Sequence, residues 1–177
     1  MIIVGWLPPF GVAASHSTMT NRRRGRMSYG LTMRLSVRST STRTFGVYPA
    51  LVLAEQALSR RPLHARWLPV LGAGYALYKL AGSYRISRAG GPAGMSQGMP
   101  ERVIDTGPYA VTRNPMYLGH MVFLSGLAML TRSPFAAALL TTVVPWFDER
   151  AAHDERRLEK AFGDEYVAYR ERVPRWL

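Results

Sequence analysis

Two apolar stretches joined by a short turn constrain the fold of this chain more than any other feature. Met116–Leu130 and Pro134–Phe147 contain no charged residue, and Thr131–Pro134 forms the turn between them. Because neither stretch has a polar face, each is expected to form a helix that is apolar on all sides. At about 1.5 Å rise per residue each arm reaches roughly 22 Å, against about 30 Å of hydrocarbon core. The pair is predicted to be a membrane hairpin lengthened by its polar turns, and a helical hairpin buried in a soluble core is the alternative.

A first apolar helix is predicted at Phe45–Ser59, upstream of this hairpin. Glu55 and Gln56 lie inside it, so the segment fits either a marginal membrane helix or a soluble amphipathic helix. Arg60–Pro62 is expected to end it, because proline cannot continue a helix.

A second apolar helix is predicted at Trp67–Ser83, and the Gly- and Pro-rich segment Arg85–Glu101 is predicted to be a loop. The one charge inside this helix, Lys79, can extend its amine toward water. Gly72 and Gly74 would let a ligand or another backbone approach closely, and ordinary helix packing is the simpler interpretation. The sequence therefore predicts an all-α, polytopic helical membrane protein with about four spans, near residues 45–59, 67–83, 116–130 and 134–147.

The N-terminal part of the chain carries much of the net charge of +12, since residues 1–44 contain seven Arg and no acid. No nucleic-acid-binding motif accompanies this charge, so nucleic acid is not expected as a partner. Residues 1–44 are interpreted as a basic, disordered extension or the product of a mis-assigned start codon, and residues 45–177 as the functional domain. The chain has no Cys, and its four His show no metal-ligand spacing, so no metal site is expected.

The distribution of Lys and Arg supports the four-span topology. The N-terminal part, the loop after the second span and the tail would share one side, which holds 19 of the 23 Lys and Arg residues. The opposite side holds Arg60, Arg61, Arg66 and Arg132. Because the cytoplasmic side of membrane proteins carries the excess of positive charge, residues 101–119 and residues 148–177 are predicted to face the cytoplasm together.

A polar stretch leads into the first arm of the hairpin. Asn is among the best N-cap residues and Pro is favoured at the first helical position, so Asn114 and Pro115 predict a helix start. The N–H groups and positive dipole of a helix start attract anions, and Arg113 can bind a carboxylate through two parallel hydrogen bonds. Tyr109 and Tyr117 add flat aromatic faces. The stretch is predicted to be either an anion and aromatic-ring site or a simple interface turn.

The charged tail has a helical pattern with one defect. Ala151, Leu158 and Phe162 form an apolar stripe, yet Glu155 falls on this stripe and Asp154 lies beside it. A carboxylate on a buried stripe is costly unless it has a partner. The two acids are interpreted either as part of a loosely amphipathic charged face or as ligands of hydroxyl or ammonium groups.

A second, shorter helix is predicted after Gly163, a residue suited to a helix C-terminus, with Asp164 at the new start. Three apolar or aromatic residues would share one face of this helix before Pro174 ends it: Tyr166, Tyr169 and Val173.

Together the polar stretch and the tail resemble the isoprenylcysteine carboxyl methyltransferase and phospholipid methyltransferase family. That family shows Gly-x-Tyr-x-x-x-Arg-His-Pro-x-Tyr-x-Gly, then a membrane hairpin, then Glu-Glu-x-x-Leu-x-x-x-Phe-Gly-x-x-Tyr-x-x-Tyr and Val-x-Arg. Here the first pattern corresponds to residues 107–119, the second to residues 154–169 and the last to residues 173–175. The resemblance covers about residues 101–177, and the combination of motifs is specific.

The resemblance implies an integral membrane methyltransferase that uses S-adenosylmethionine. The cofactor would lie in a cytoplasm-facing pocket under the folded-back tail, and a prenylcysteine-like carboxylate or a phospholipid amine would enter from the bilayer. By family likeness, Arg113, Glu155 and Arg175 would be catalytic, with Arg175 orienting an acidic acceptor. The residues that would hold the cofactor are Gly107, Tyr109, Arg113, Asn114, Pro115, Tyr117, Gly119, Asp154 and Glu155.

The chain departs from the family pattern at two positions. Asn114 replaces a His, and Asp154 replaces the first Glu of the acid pair. Asn can donate a hydrogen bond, but it cannot titrate near neutral pH or carry charge. A non-catalytic membrane scaffold of the same fold is therefore one alternative. An NADPH-using enzyme of the steroid 5-alpha-reductase type is another, and the spacing of the acid pair speaks against it.

Overall fold

The computed structural model describes residues 39–90 and 98–177, and every regular element in these residues is helical. The first helix, α1, comprises α-helical Thr40–Thr42 and Tyr48–Ser59 with the π-helical segment Arg43–Val47 between them. The later helices are α2 (Leu68–Ala89), α3 (Pro115–Thr131), α4 (Pro134–Phe162) and α5 (Asp164–Arg172). Short 3₁₀ turns precede α2 and α3, at Ala65–Trp67 and Gly107–Ala110.

The predicted all-α fold is confirmed for the described residues. Within them, no helix combines the length and the apolar character that are needed to cross a bilayer. The predicted ends of α1 at Ser59 and of α3 at the Thr131–Pro134 turn are also confirmed.

The start of α1 differs from the prediction. The helix begins at Thr40 rather than at Phe45, and Thr44 is buried. Residues 39–44 therefore belong to the helical domain, and their assignment to a disordered extension was wrong. The rest of that extension, residues 1–38, lies outside the described residues, as does the segment 91–97 of the predicted loop.

Two helices run further than predicted. α2 continues through Arg85 to Ala89, because both side chains are buried in the fold, and it ends at Gly90 with a left-handed φ of 62°. α4 is one helix of 29 residues that passes through Pro145 into the tail. Buried side chains on both sides of Pro145 hold the helix together despite the missing backbone donor: Val143, Phe147 and Ala151.

Close packing between α2 and α3 organises the core. A Cβ atom added to Gly74 would lie 2.7 Å from Phe123 Cα, and one added to Gly126 would lie 2.5 Å from Leu71 N. Small residues allow such close approach of two helices, so the packing interpretation of Gly74 is confirmed. Gly72 has no neighbour within 4 Å of an added Cβ. The largest buried cluster is formed by Val52, Phe123, Leu124, Leu127, Ala136, Val143 and Phe147.

The hairpin turn also connects to α1. Ser133 caps α4 by accepting a hydrogen bond from Ala136 N at 3.0 Å, and its hydroxyl contacts Glu55 Oε2 at 2.6 Å. At the far end of α4, Gly163 adopts a left-handed φ of 53° and its N–H donates to Glu159 O, as predicted for a C-cap. The short helix α5 then packs through a second cluster, which contains the predicted face residues Tyr166, Tyr169 and Val173.

Candidate functional site

Glu155 lies at the centre of a buried polar cluster. The residue is only 5% exposed. Oε1 accepts hydrogen bonds from Asn114 Nδ2 at 2.9 Å and Arg175 Nε at 3.1 Å. Oε2 accepts one from Arg175 Nη2 at 3.1 Å and lies 3.3 Å from Arg113 Nη2. A buried carboxylate is tolerated only with such partners, so Glu155 depends on both the polar stretch and the tail.

Asn114 holds the N-cap position of α3 but makes no side-chain cap hydrogen bond. The predicted helix start at Asn114 and Pro115 is therefore confirmed, although the Asn114 side chain does not bond to the first turn. Its amide instead donates to Glu155, and its backbone N–H donates to Thr112 Oγ1 at 3.3 Å. An amide can supply this hydrogen bond without titrating, so Asn114 joins the start of α3 to α4 at any pH near neutrality.

Asp154 is also buried, at 2% exposure, and has different partners. Oδ2 accepts a hydrogen bond from the Tyr117 hydroxyl at 2.6 Å and lies 3.7 Å from Arg150 Nε. Arg157 Nη1 lies 3.6 Å from Oδ1, but Oδ1 accepts no hydrogen bond from the described residues. Asp154 therefore retains an acceptor for a ligand donor.

The end of the chain lies against the start of α3. Arg113 N–H donates to Pro174 O at 2.9 Å, and Thr112 Oγ1 donates to Arg175 O at 2.7 Å. Trp176 Nε1 donates to Asp148 Oδ1 at 2.9 Å, and this bond, together with Arg175, lowers the pKa of Asp148. The structure thus brings the two predicted motifs together.

A cavity of about 380 Å³ lies beside this cluster. Tyr166 and Arg113 line it, and the Tyr166 hydroxyl and Arg113 Nε are both buried without a hydrogen-bond partner in the described residues. Each such atom costs about 1–3 kcal/mol unless a ligand satisfies it. Burial raises the pKa of Tyr109, another wall residue, to about 12, so its hydroxyl stays protonated at neutral pH. These features suit a polar ligand with an aromatic part.

Sequence reasoning missed Arg85 as a site residue. Its guanidinium lines the cavity, donates to Gly98 O at 3.3 Å and lies within electrostatic range of Asp154. Burial lowers the pKa of Arg85. The sequence does contain a signal, since Arg85 follows directly on an apolar helix. Because Arg85 was assigned to the predicted loop, this signal was not used. Tyr166 and Tyr169 also line the cavity and were predicted only as packing residues.

Three of the predicted cofactor ligands are placed mainly for packing. Gly107 has a left-handed φ of 58°, and an added Cβ would lie 2.6 Å from the ring of Tyr84. An added Cβ at Gly119 would lie 2.7 Å from Tyr78 N on α2. Pro115 is buried at the first position of α3. Contact between these residues and a cofactor stays a prediction.

Comparisons with known proteins are consistent with the motifs at this site. The family model for phospholipid methyltransferase matches residues 70–165. Protein-S-isoprenylcysteine O-methyltransferase B of Arabidopsis thaliana is 32% identical over 74 residues, which are 41% of this chain and 38% of that protein. The Schizosaccharomyces pombe protein-S-isoprenylcysteine O-methyltransferase is 36% identical over 74 residues, 41% of this chain and 31% of that protein.

The human protein-S-isoprenylcysteine O-methyltransferase is 32% identical over 76 residues, 42% of this chain and 27% of that protein. The chain therefore spans well under half the length of these relatives. No solved structure matches the chain significantly. The matched family region includes Arg113, Asn114 and Glu155 but neither α1 nor Arg175.

Proposed function

Because this chain belongs to the phospholipid methyltransferase family, we propose that it is an integral membrane methyltransferase that moves a methyl group from S-adenosylmethionine to a lipophilic acceptor. The acceptor group is a prenylcysteine-like carboxylate or a phospholipid amine. The observation that carries the proposal is the junction of the two family motifs. Asn114 Nδ2 and Arg113 Nη2 from the first motif meet Glu155 from the second at 2.9 and 3.3 Å, beside a cavity lined by residues that carry unsatisfied polar atoms.

The lining of the cavity suits S-adenosylmethionine in its chemistry, because it combines guanidinium groups with aromatic rings. Arg85 and Arg113 would bind the carboxylate of the cofactor, and the rings of Tyr109 and Tyr169 would contact its adenine. Asp154 Oδ1, which lacks a hydrogen-bond donor, would accept one from its ammonium or ribose hydroxyl groups.

The protein's part in the reaction is to position the reactants and exclude water. When bound, S-adenosylmethionine supplies an electrophilic methyl group: an acceptor lone pair forms the new bond to carbon, the C–S electron pair stays on sulfur, and S-adenosylhomocysteine leaves. Glu155 would act by holding Asn114, Arg113 and Arg175 in place, since its oxygens bind these three side chains. The role of Arg175 in orienting an acidic acceptor stays a prediction, because its guanidinium here binds Glu155 and Asp148.

A multi-pass membrane location with the site facing the cytoplasm is part of this proposal. Its first support is the excess of Lys and Arg on the side that would carry the site. Its second is the number of large apolar side chains exposed on helix exteriors, since such surfaces mark contact with membranes or proteins. They include Leu51, Leu53, Leu80, Phe135 and Val144.

One observation favours a second candidate function. Asn114 replaces the family His and cannot titrate near neutral pH, which fits a non-catalytic membrane scaffold that retains the fold. The hydrogen bond from Asn114 to Glu155 supports the enzyme instead, because an amide at this position still donates a hydrogen bond to the acid pair.

Titration calorimetry of the purified full-length chain with S-adenosylmethionine and with NADPH tests the proposal. We expect S-adenosylmethionine to bind and NADPH not to bind. Arg85→Gln should weaken S-adenosylmethionine binding at least tenfold, since hydrogen bonds to charged groups contribute about 1.5–3 kcal/mol. The matched control is Arg88→Gln on the same helix, where the exposed guanidinium lies over Tyr84. Absence of S-adenosylmethionine binding would reject the methyltransferase, and binding of NADPH in its place would favour the reductase.

A further inference from the structure

A second cavity lies between the N-terminal part of α1 and the middle of α4. Its volume is about 530 Å³. The α1 wall is polar and basic, and it consists of Thr40, Arg43, Thr44 and Tyr48. The α4 wall is largely apolar, and it consists of Thr142, Val143, Trp146 and Phe147. The cavity therefore has one polar, basic wall and one apolar wall, which matches a ligand with a polar head and an apolar chain.

Arg43 gives this cavity its charge. Its guanidinium lies 5.6 Å from the ring centre of Trp146, a cation–π distance that places the charge beside the apolar wall. No acidic residue is among the described residues that line the cavity. Arg43 also begins a π-helical segment, a rare conformation that is frequent at functional sites. The cavity thus offers a fixed cation, hydroxyl donors and an apolar surface.

The position of the cavity connects it to the methyl-donor side. Phe147 lines the cavity, and the centre of its ring lies 5.4 Å from that of Tyr117. The Tyr117 hydroxyl in turn donates to Asp154 at 2.6 Å, and Asp154 is within electrostatic range of Arg85 in the first cavity. Phe147, Tyr117 and Asp154 thus form a chain of contacts that runs from this cavity toward Arg85.

We infer that this second cavity binds an acidic amphiphile, with its carboxylate or phosphate paired to Arg43 and its apolar chain on Val143, Trp146 and Phe147. Arg binds both anions through charge-assisted hydrogen bonds, and burial of the chain adds hydrophobic free energy. Because Arg43 holds the anion, the reacting atom of a methyl acceptor bound here would belong to a second group of the ligand, such as a phospholipid amine, that extends past Phe147 toward Tyr117. That the ligand is the methyl acceptor rests on the proposed function, whereas its binding at Arg43 does not.

Equilibrium binding without any methyl donor tests the inference. The full chain in an uncharged maltoside detergent is titrated with dodecanoate, dodecyl phosphate, dodecanol and inorganic phosphate. We expect the two acidic amphiphiles to bind at least tenfold more tightly than dodecanol or inorganic phosphate. Arg43→Gln should remove this preference, and Arg43→Lys should retain part of it because the charge remains. Arg66→Gln is the matched control, since exposed Arg66 lies over Trp67 at 5.5 Å.

Each outcome is decisive. Dodecanol binding as tightly as dodecanoate, or Arg43→Gln binding dodecanoate like the unmodified chain, would overturn the inference. If inorganic phosphate bound as tightly as dodecyl phosphate, the inferred binding of the apolar chain would be wrong. The affinity for S-adenosylmethionine is measured on the same samples, because a variant that has lost its fold would also lose this affinity. Loss of amphiphile preference in Arg43→Gln with unchanged S-adenosylmethionine affinity is the supporting result, and it stands even if no methyl transfer is found.

Discussion

Glu155 combines deep burial with several charged partners. Its carboxylate faces two guanidinium groups and one amide, from Arg113, Arg175 and Asn114. The hydrogen bonds that Arg175 donates to Glu155 raise the pKa of Arg175. Removing one member of a buried ion pair leaves the other charges uncompensated, which costs more than the pair itself contributes. Glu159, four residues later, instead pairs with Arg170 at 2.7 Å on a surface where both side chains are more than a third exposed.

Glu155→Ala is expected to reduce the free energy of unfolding by about 3–5 kcal/mol and to weaken S-adenosylmethionine binding. The matched change Glu159→Ala should cost less than about 1 kcal/mol, because exposed ion pairs contribute little. Denaturant unfolding and calorimetry of both variants in detergent measure these effects. Equal losses in the two variants would show that Glu155 does not organise the site.

At the residue scale, the sequence identifies the site only in part. Asp154 and Glu155 stand out because acids on an apolar helical stripe need partners, and the structure places both among such partners. Arg85 and the Tyr166 hydroxyl do not stand out, because their importance comes from a cavity formed by distant segments. The sequence correctly placed Asn114 at the start of α3. It did not predict the hydrogen bond that Asn114 Nδ2 donates to Glu155, because that partner lies 41 residues away on another helix.

At the scale of helices, the contact between α2 and α3 fixes the position of the site. α3 carries Asn114 at its start, and α2 carries Arg85 near its end. Gly74 and Gly119 lie face to face, since an added Cβ at either residue would lie 2.8 Å from the carbonyl oxygen of the other. The two helix backbones could not approach this closely with larger residues at these positions.

Gly74→Ala is expected to lower the free energy of unfolding by about 1–3 kcal/mol, because the added methyl group would have to push the two helices apart. Gly72→Ala is the matched control on the same helix, where an added Cβ meets open space. This change should be neutral or stabilise by up to about 1 kcal/mol, since Ala has the higher helix propensity. Thermal unfolding of the two variants tests the packing, and a stable Gly74→Ala variant would contradict it.

The helices themselves could be predicted from apolar runs, but their ends could not always be. Arg60, Gly163 and the Thr131–Pro134 turn end helices as local signals predict. Pro145 does not end α4, because buried Val143 and Phe147 hold the helix on both sides of it. Packing of this kind involves residues far apart in the chain, so a local pattern cannot show it.

At the scale of the whole molecule, the tail completes the site. Pro174, Arg175 and Trp176 bind the backbone of Arg113, the carboxylate of Glu155 and the carboxylate of Asp148. The proposed cofactor cavity takes its walls from α2, the stretch before α3, α4 and α5. The proposed acceptor cavity takes its walls from the N-terminal part of α1 and the middle of α4. The proposed methyl donor and methyl acceptor therefore bind on either side of Tyr117 and Asp154.

The most direct test of this account is transfer of a labelled methyl group. The full chain in lipid vesicles is incubated with S-adenosylmethionine tritiated in its methyl group and with a membrane lipid extract. We predict label in the organic phase, attached to a lipophilic acid or amine, and a loss of at least tenfold in the Glu155→Ala variant. A chain that binds S-adenosylmethionine yet leaves all the label in the aqueous phase would contradict the proposed activity.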